Sequence, residues 1–366
     1  MKRYIACFML VLSSSLGTDM ALSVEPIESA GNKEPLLTPG QTSSEIKAPG
    51  KNGGSYHVYL PTEYTAERKW PVLFVMSPGG GNAETLKRYI DGAEKNNWIL
   101  AVSVQSRNGF SKSEDAVLDM VGDVCKRLPI DPKRMYSSGM SGGARMAFWL
   151  SEEMKSKGFA GVLACGAGGT PSKMSSKTVV VGLCGSNCFN RWDMACTFKG
   201  LKNNDSILRF FPGGHDWAES DLITYGMFWL NGCFLETKPP ANTASAEEKQ
   251  RFLSKVLEEI EKNKESDPER AYDWAICPFV DSVSAAPAAS PPLPALMKNP
   301  KVQLYIAGLK EMDSFVKKHF ATSSMDYLNH NGTVAAKRDA DKLAEKYKGT
   351  KLAGLFTKLG EPSIAP

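Results

Sequence analysis

The chain has 366 residues, of which 42% are hydrophobic and 23% charged, a composition that is ordinary for a globular protein. Its formal net charge of +4 is too small to indicate a nucleic-acid partner, and no basic stripe with interleaved aromatic residues occurs. The length exceeds one average domain and fits one large domain with an appendage.

The N-terminus carries the pattern of an export signal. A positively charged start is followed by an apolar run at residues 4–12 and by small residues at 13–17. These are the three parts of a signal peptide, whereas the alternative is a buried N-terminal strand. We predict a signal peptide at residues 1–23, cleaved after Gly17 or Ser23, and a secreted or periplasmic protein. The run is too short to span a membrane and no later run is long enough, so no integral membrane span is predicted.

Export changes the interpretation of the cysteines. Of the eight in the sequence, Cys7 lies in the predicted signal, which leaves an odd number in the mature chain. Disulfides are expected in an exported protein, with one thiol left over and the pairing open. No metal site is predicted, because Cys184 and Cys188 have no second ligand pair at finger-like spacing, and the first histidine after them is His215.

Between residues 53 and 237, strand-like and helix-like patterns alternate. The run at 71–76 is continuously apolar, as expected for a strand that is buried on both faces. This succession predicts an α/β fold with a doubly wound, mostly parallel sheet and helices on both faces. Strands are predicted at 55–60, 71–76, 99–104, 134–138, 161–165, 178–183 and 206–211, and helices at 83–96, 114–127, 142–157 and 219–233.

The segments on either side of this domain differ from it in amino-acid composition. Residues 24–52 are rich in Pro, Gly, Ser and Glu and are predicted to be a disordered leader. A helical extension is predicted at 244–280, a Pro/Ala linker at 281–295 and a small all-helical region at 296–360. Charges of both signs are interspersed in this helical tail, which is typical of a solvated surface and leaves its partner unknown.

A Gly-x-Ser-x-Gly motif at residues 139–143 lies between a predicted strand and a predicted helix. Such a turn exposes the hydroxyl of its serine, here Ser141, and the flanking glycines permit the strained backbone. A serine nucleophile needs a base. Of the four histidines, His215 lies on the loop between the last strand and the last helix, where a triad histidine is found. The alternative is a capping or surface histidine.

Acyl transfer also needs hydrogen-bond donors for the oxyanion. A glycine-rich loop directly follows the buried strand at 71–76 and contains Gly80 and Gly81. The second usual donor is the backbone N–H after the nucleophile, here that of Gly142. We predict that these three residues form an oxyanion hole; the alternative is a plain loop that leads into the next helix.

Together these motifs resemble the α/β-hydrolase superfamily over residues 55–234. They are most similar to exported esterases of the polyhydroxybutyrate-depolymerase and feruloyl-esterase type. The resemblance implies hydrolysis of a small-molecule or polymeric ester by a serine, without a cofactor. The matching stretches are Ser77–Gly81, Ile130–Tyr136, Gly139–Ala144 and Gly213–Trp217.

The acid of the expected triad is missing from its usual place. In the resembling family it follows the penultimate strand as Gly-x-x-Asp, and that register places Cys188 here. A thiol cannot stabilise an imidazolium as a carboxylate does, and loss of the acid lowers turnover by about four orders of magnitude in a serine protease. Three interpretations stay open. Asp193 folds back toward His215, Asn187 orients the ring as a neutral acceptor, or the site is degenerate.

The sequence therefore supports an exported serine hydrolase that acts on carboxylic esters through Ser141 and His215. The alternative is a catalytically weakened binding or scaffold protein on a hydrolase fold, because Cys188 replaces the expected acid. A third possibility is a peptidase on the same fold, since a fold does not determine function.

Overall fold

The computed structural model describes residues 37–50, 53–154, 159–238, 240–280, 292–321 and 334–362. These residues belong to one compact unit. The predicted signal peptide, the start of the leader and residues 281–291 of the linker lie outside the described residues, so those assignments remain predictions.

Eight strands form one sheet, in the order β1-β2-β4-β3-β5-β6-β7-β8. The first two pair antiparallel to their neighbours and all the others pair in parallel. The strands are β1 Ile46–Lys47, β2 Ser55–Tyr59, β3 Trp70–Met76, β4 Ile99–Ser103, β5 Ile130–Met140, β6 Phe159–Cys165, β7 Val179–Gly185 and β8 Ile207–Phe211.

Helices cover both faces of this sheet, which confirms the predicted fold class. The helices are α1 Ala83–Asn96, α2 Ser113–Arg127, α3 Gly142–Glu153, α4 Arg191–Gly200, α5 Ser220–Glu236, α6 Ala246–Asn263, α7 Pro268–Ala275, α8 Pro292–Leu296, α9 Pro300–His319, α10 Val334–Lys346 and α11 Lys351–Gly360. Within the described ranges, no helix combines the length and the apolar character that crossing a bilayer requires.

Strand β3 shows why the sheet lies at the centre. All seven of its residues are buried, and successive side chains point to opposite faces. Leu73 and Val75 join a core with residues of α1, α5, α6 and α7. Val72 and Phe74 join a second core with residues of α2 and α3. Both faces of β3 therefore bury apolar surface, the main favourable contribution to folding.

Two predicted boundaries are wrong. Within the predicted disordered leader, Ile46 and Lys47 form strand β1 of the sheet, where Ile46 pairs with Tyr56 and is buried. A two-residue strand is too short to produce a periodic pattern. Strand β5 also begins at Ile130, four residues before its predicted start, and the pairing register shifts in that stretch.

The helical tail packs against the part of the chain that contains the sheet. Trp192 and Ala195, on the face of α4 that the tail covers, share a buried cluster with Phe315, Phe320 and Phe356 of the tail. Helix α4 was not predicted from the sequence. The short helix α8 occupies the end of the predicted linker.

Candidate active site

Ser141 lies at a sharp turn between β5 and α3, with φ 53° and ψ −119°. A positive φ is uncommon for a residue other than glycine and is typical of strained functional turns. The glycines of the motif make this turn possible. A Cβ on Gly139 would lie 2.4 Å from the backbone of Gly143, and one on Gly143 would lie 2.3 Å from the carbonyl oxygen of Met76.

The structure brings His215 to Ser141, with 2.8 Å between Nε2 of the ring and Oγ of the serine. Cys165, at the end of β6, holds the histidine loop in place. Its thiol donates a hydrogen bond to the carbonyl of Asp216, and its sulfur accepts one from the N–H of Ala218. Burial raises the pKa of Cys165 to about 12, so this thiol keeps its proton.

Cys188 occupies the other side of the imidazole. Its Sγ lies 3.1 Å from Nδ1 of His215, and its side chain is fully buried. The neighbouring Cys184 and the hydrogen bond with His215 together lower the pKa of Cys188 to about 5, against the opposing effect of burial. Burial raises the pKa of Cys184 well above its ordinary value. The lowered pKa of Cys188 favours the thiolate form of the atom that faces Nδ1.

The expectation that Asp193 folds back toward His215 is wrong. Its carboxylate accepts hydrogen bonds from Nη2 of Arg145 and from the N–H of Gly168, both at 3.0 Å. Because α4 begins at Arg191, Asp193 lies in the first turn of a helix and cannot follow an extended loop back to the ring.

Asn187 does not orient the imidazole either. Its side-chain amide donates to Oε2 of Glu361 at 3.2 Å, and its backbone N–H donates to the carbonyl of Gly213. The hydrogen bond at Nδ1 is made by Cys188, the residue that the Gly-x-x-Asp register identified.

The predicted oxyanion hole needs a correction. The N–H of Gly80 donates to Ser77 and that of Gly81 donates to Ser103, so neither group is available to a substrate. The N–H groups of Gly79 and Gly142 have no hydrogen-bond partner within the described ranges. Gly80 has φ +87°, and this conformation turns the loop. Gly79 was missed because the glycine run does not show which of its amides face outward.

Two side chains border the serine and the histidine. The ring of Phe189 lies 4.0 Å from that of His215, centroid to centroid. The exposed Asn108 lies over Gly142, where a Cβ would approach its Oδ1 to 1.8 Å. Trp192 points elsewhere and packs on Phe320 at 4.4 Å. The structure thus places Phe189, but not Trp192, beside the site.

The tail holds the loop that carries Cys188. The buried guanidinium of Arg191 donates to the carbonyl of Ser186 and to that of Glu361, each at 2.7 Å. Glu361 also accepts the hydrogen bond from Asn187. Burial lowers the pKa of Arg191 to about 10, which leaves it charged near neutral pH. The loop between β7 and α4 is therefore fixed between the sheet and the end of α11.

Five buried cysteines form no disulfide in the structure, contrary to the expected disulfides. They are the buried residues Cys165, Cys184, Cys188, Cys233 and Cys277. The sulfur of Cys188 faces the imidazole and that of Cys165 faces the histidine loop. Among the residues that the structure describes, no group of three acidic, histidine or cysteine side chains could hold a metal ion.

Neither the scan against protein-family models nor the search of curated proteins gives a match. Solved structures similar to this chain include the S-formylglutathione hydrolase FrmB of Staphylococcus aureus, at 13% identity and a TM-score of 0.43, over 53% of this chain and 99% of that one. The esterase LipW of Mycobacterium marinum is similar at 15% identity and 0.43, over 53% and 82%. A fungal esterase of Rhizomucor miehei is similar at 14% and 0.45, over 58% and 86%. Similarity at this level carries no argument about activity, which has to be inferred from the side chains described above.

Proposed function

We propose that this protein is a serine hydrolase of carboxylic esters in which Ser141 is the nucleophile, His215 the base and Cys188 the residue that orients the base. The observation that carries the proposal is one continuous row of hydrogen bonds. It runs from Oγ of Ser141 to Nε2 of His215 at 2.8 Å, and from Nδ1 of His215 to Sγ of Cys188 at 3.1 Å. Nucleophile, base and orienting group in this order define the triad arrangement.

The geometry supports a double-displacement reaction. Oγ of Ser141 attacks the acyl carbon while Nε2 of His215 takes its proton. The oxyanion of the tetrahedral intermediate is stabilised by the N–H groups of Gly79 and Gly142. The bond to the leaving alcohol then breaks, and His215 protonates that alcohol. A water molecule, activated by the same imidazole, releases the acid from the acyl-enzyme.

The Cys188 thiolate supplies the negative charge that a carboxylate provides elsewhere. It accepts a hydrogen bond from the N–H at Nδ1 of His215, which fixes the tautomer with a basic Nε2, and it stabilises the imidazolium that forms during attack. Sulfur is a weaker hydrogen-bond acceptor than a carboxylate oxygen. We therefore infer an active enzyme that is slower than its carboxylate equivalent.

The polyhydroxybutyrate-depolymerase or feruloyl-esterase type and export remain parts of this proposal. Export is supported by the sequence pattern of residues 1–23. N-terminal sequencing of protein recovered outside the cytosol tests it. A mature chain beginning at residue 18 or 24 is the expected result, and an intact residue 1 would contradict it.

A fluorophosphonate probe tests the enzyme directly. Wild-type protein is expected to be labelled and to hydrolyse short-chain nitrophenyl esters, whereas Ser141→Ala does neither. Ser220→Ala is the matched control, because this exposed serine lies at the start of α5. A wild-type protein that is folded but is neither labelled nor active would rule out the proposal.

One observation favours a second candidate, a weakened binding protein on a hydrolase fold: the acceptor at Nδ1 is a sulfur atom and not a carboxylate oxygen. This candidate predicts fluorophosphonate labelling without ester turnover. A peptidase would in addition cleave nitroanilides, so parallel assays of matched ester and amide substrates distinguish the three functions.

A further inference from the structure

A side chain from outside the serine motif lies at the candidate oxyanion hole. Asn108 belongs to the segment between β4 and α2, and its side-chain amide lies over Gly142. A Cβ on Gly142 would be 1.8 Å from Oδ1, 2.7 Å from Cγ and 3.0 Å from Nδ2 of Asn108. The amide group therefore occupies the space directly over the residue that follows the nucleophile.

The backbone of Asn108 is fastened to the loop that carries the other oxyanion donor. Its N–H donates to the carbonyl of Pro78 at 2.8 Å, and Pro78 directly precedes Gly79. The main chain of Asn108 thus adjoins the Gly79 donor, while its side chain adjoins the Gly142 donor. One residue borders the oxyanion hole on both sides.

Further hydrogen bonds hold the segment that carries Asn108. The hydroxyl of Ser106 accepts a hydrogen bond from the N–H of Ser77 at 3.1 Å. The hydroxyl of Ser113 donates to the carbonyl of Arg107, the residue before Asn108, at 2.9 Å. Because these contacts fix the main chain, the side chain of Asn108 is in place before the reaction begins, as electrostatic catalysis requires.

The side-chain amide of Asn108 is available to a substrate. Among the residues that the structure describes, it has no hydrogen-bond partner, and the side chain is exposed. Since no such bond fixes the plane of the amide, rotation about χ2 exchanges the places of Oδ1 and Nδ2 at little cost. A negatively charged oxygen beside Gly142 favours the orientation in which Nδ2 faces it, because Nδ2 carries two N–H donors and Oδ1 is an acceptor.

We propose that Asn108 is a catalytic residue whose Nδ2 donates a third hydrogen bond to the oxyanion, beside the N–H groups of Gly79 and Gly142. Side-chain amides are among the donors that stabilise tetrahedral intermediates of acyl transfer. The proposal rests on the proposed function, because the oxyanion forms only when Ser141 attacks the acyl carbon.

Asn108→Ala and the nearly isosteric Asn108→Asp test this role with a nitrophenyl ester. Both variants keep the backbone N–H that donates to Pro78, so both should be as stable as the wild type. Loss of one oxyanion donor lowers kcat by about 10²–10³, and for an exposed donor we expect a loss of at least about tenfold with little change in KM. Asn108→Asp should lose more, since its carboxylate repels the oxyanion. Asn204→Ala is the matched control, because this exposed asparagine lies in the turn between α4 and β8.

The rate of fluorophosphonate labelling is a second measurement, which needs no hydrolysis step after the attack by Ser141. The phosphoryl oxygen of the probe occupies the same hole, so labelling should slow in parallel with kcat in both Asn108 variants. A wild type that is labelled without ester turnover contradicts the proposed function, and the labelling rates of the variants then decide the role of Asn108.

Two results would overturn the role of Asn108 and leave Ser141 as the nucleophile. One is a wild-type kcat and labelling rate in either folded Asn108 variant. The other is a raised KM at unchanged kcat, because a donor that acts only in the transition state changes kcat. A folded wild type that is not labelled at all would overturn this proposal and the proposed function together.

Discussion

The sheet and the helical tail contribute to the candidate site in different ways. The sheet presents Ser141 and His215 on short turns, each of which follows a strand and has a local sequence motif. The tail contributes no residue to that row of hydrogen bonds, yet Glu361 fastens the Cys188 loop through Arg191 and Asn187. Reactive groups are thus specified locally, whereas their support depends on contacts between residues 170 or more positions apart.

The largest expected effect concerns the two reactive residues that follow strands of the sheet. Ser141→Ala and His215→Ala should each lower ester turnover by as much as about six orders of magnitude, as in a serine protease whose triad acts as a unit. The double variant should be no worse than either single one. Steady-state kinetics with a nitrophenyl ester measures this. Additive losses in the double variant would show that the two residues do not act together.

The next largest effect is expected at Cys188, whose loop leaves the sheet and is held by the tail through Arg191. Cys188→Ala should lower kcat by about two to four orders of magnitude, because His215 loses the group that orients it. Cys188→Asp should be at least as active as the wild type, since a carboxylate accepts a stronger hydrogen bond. Full activity of a folded Cys188→Ala variant would show that the thiolate takes no part.

A smaller effect is expected from replacing Arg191, which links the Cys188 loop to the tail. Arg191→Met should lower the free energy of unfolding by about 3 kcal/mol, because two buried carbonyls lose their charged donor. It should also reduce kcat, since the Cys188 loop is no longer fastened. Chemical denaturation and kinetics measure both. Arg145→Met, an exposed arginine in an ion pair, is the control and should change stability by less than about 0.5 kcal/mol.

The smallest effect is a pH dependence that the Cys188 thiolate imposes. Its folded-state pKa of about 5 lies below the ordinary value of 9.0. The stability that the thiolate contributes is therefore fully present above the ordinary value, and it is lost as the pH falls through about 5. The ultraviolet absorbance of the thiolate should disappear over the same acid range in the wild type. Cys188→Ser should lack this transition; an unchanged titration in that variant would assign the transition to another group.

The sequence by itself determined the parts that local physics controls. The continuous apolar run of β3, the alternation of strands and helices, and the glycines around Ser141 are short-range patterns, and each one specified its element within a few residues. The Gly-x-x-Asp register located Cys188 beside the imidazole for the same reason, because a loop that leaves a parallel strand has little freedom over three residues.

Only the tertiary structure decided which neighbours those residues have. It engaged the amides of Gly80 and Gly81 within the loop and directed Asp193 to Arg145. It also lowered the pKa of Cys188, through Cys184 and His215. These outcomes depend on the packing of distant segments. Hydrogen-bond partners, burial and local charge are properties of the assembled fold, and the sequence around a residue does not reveal them.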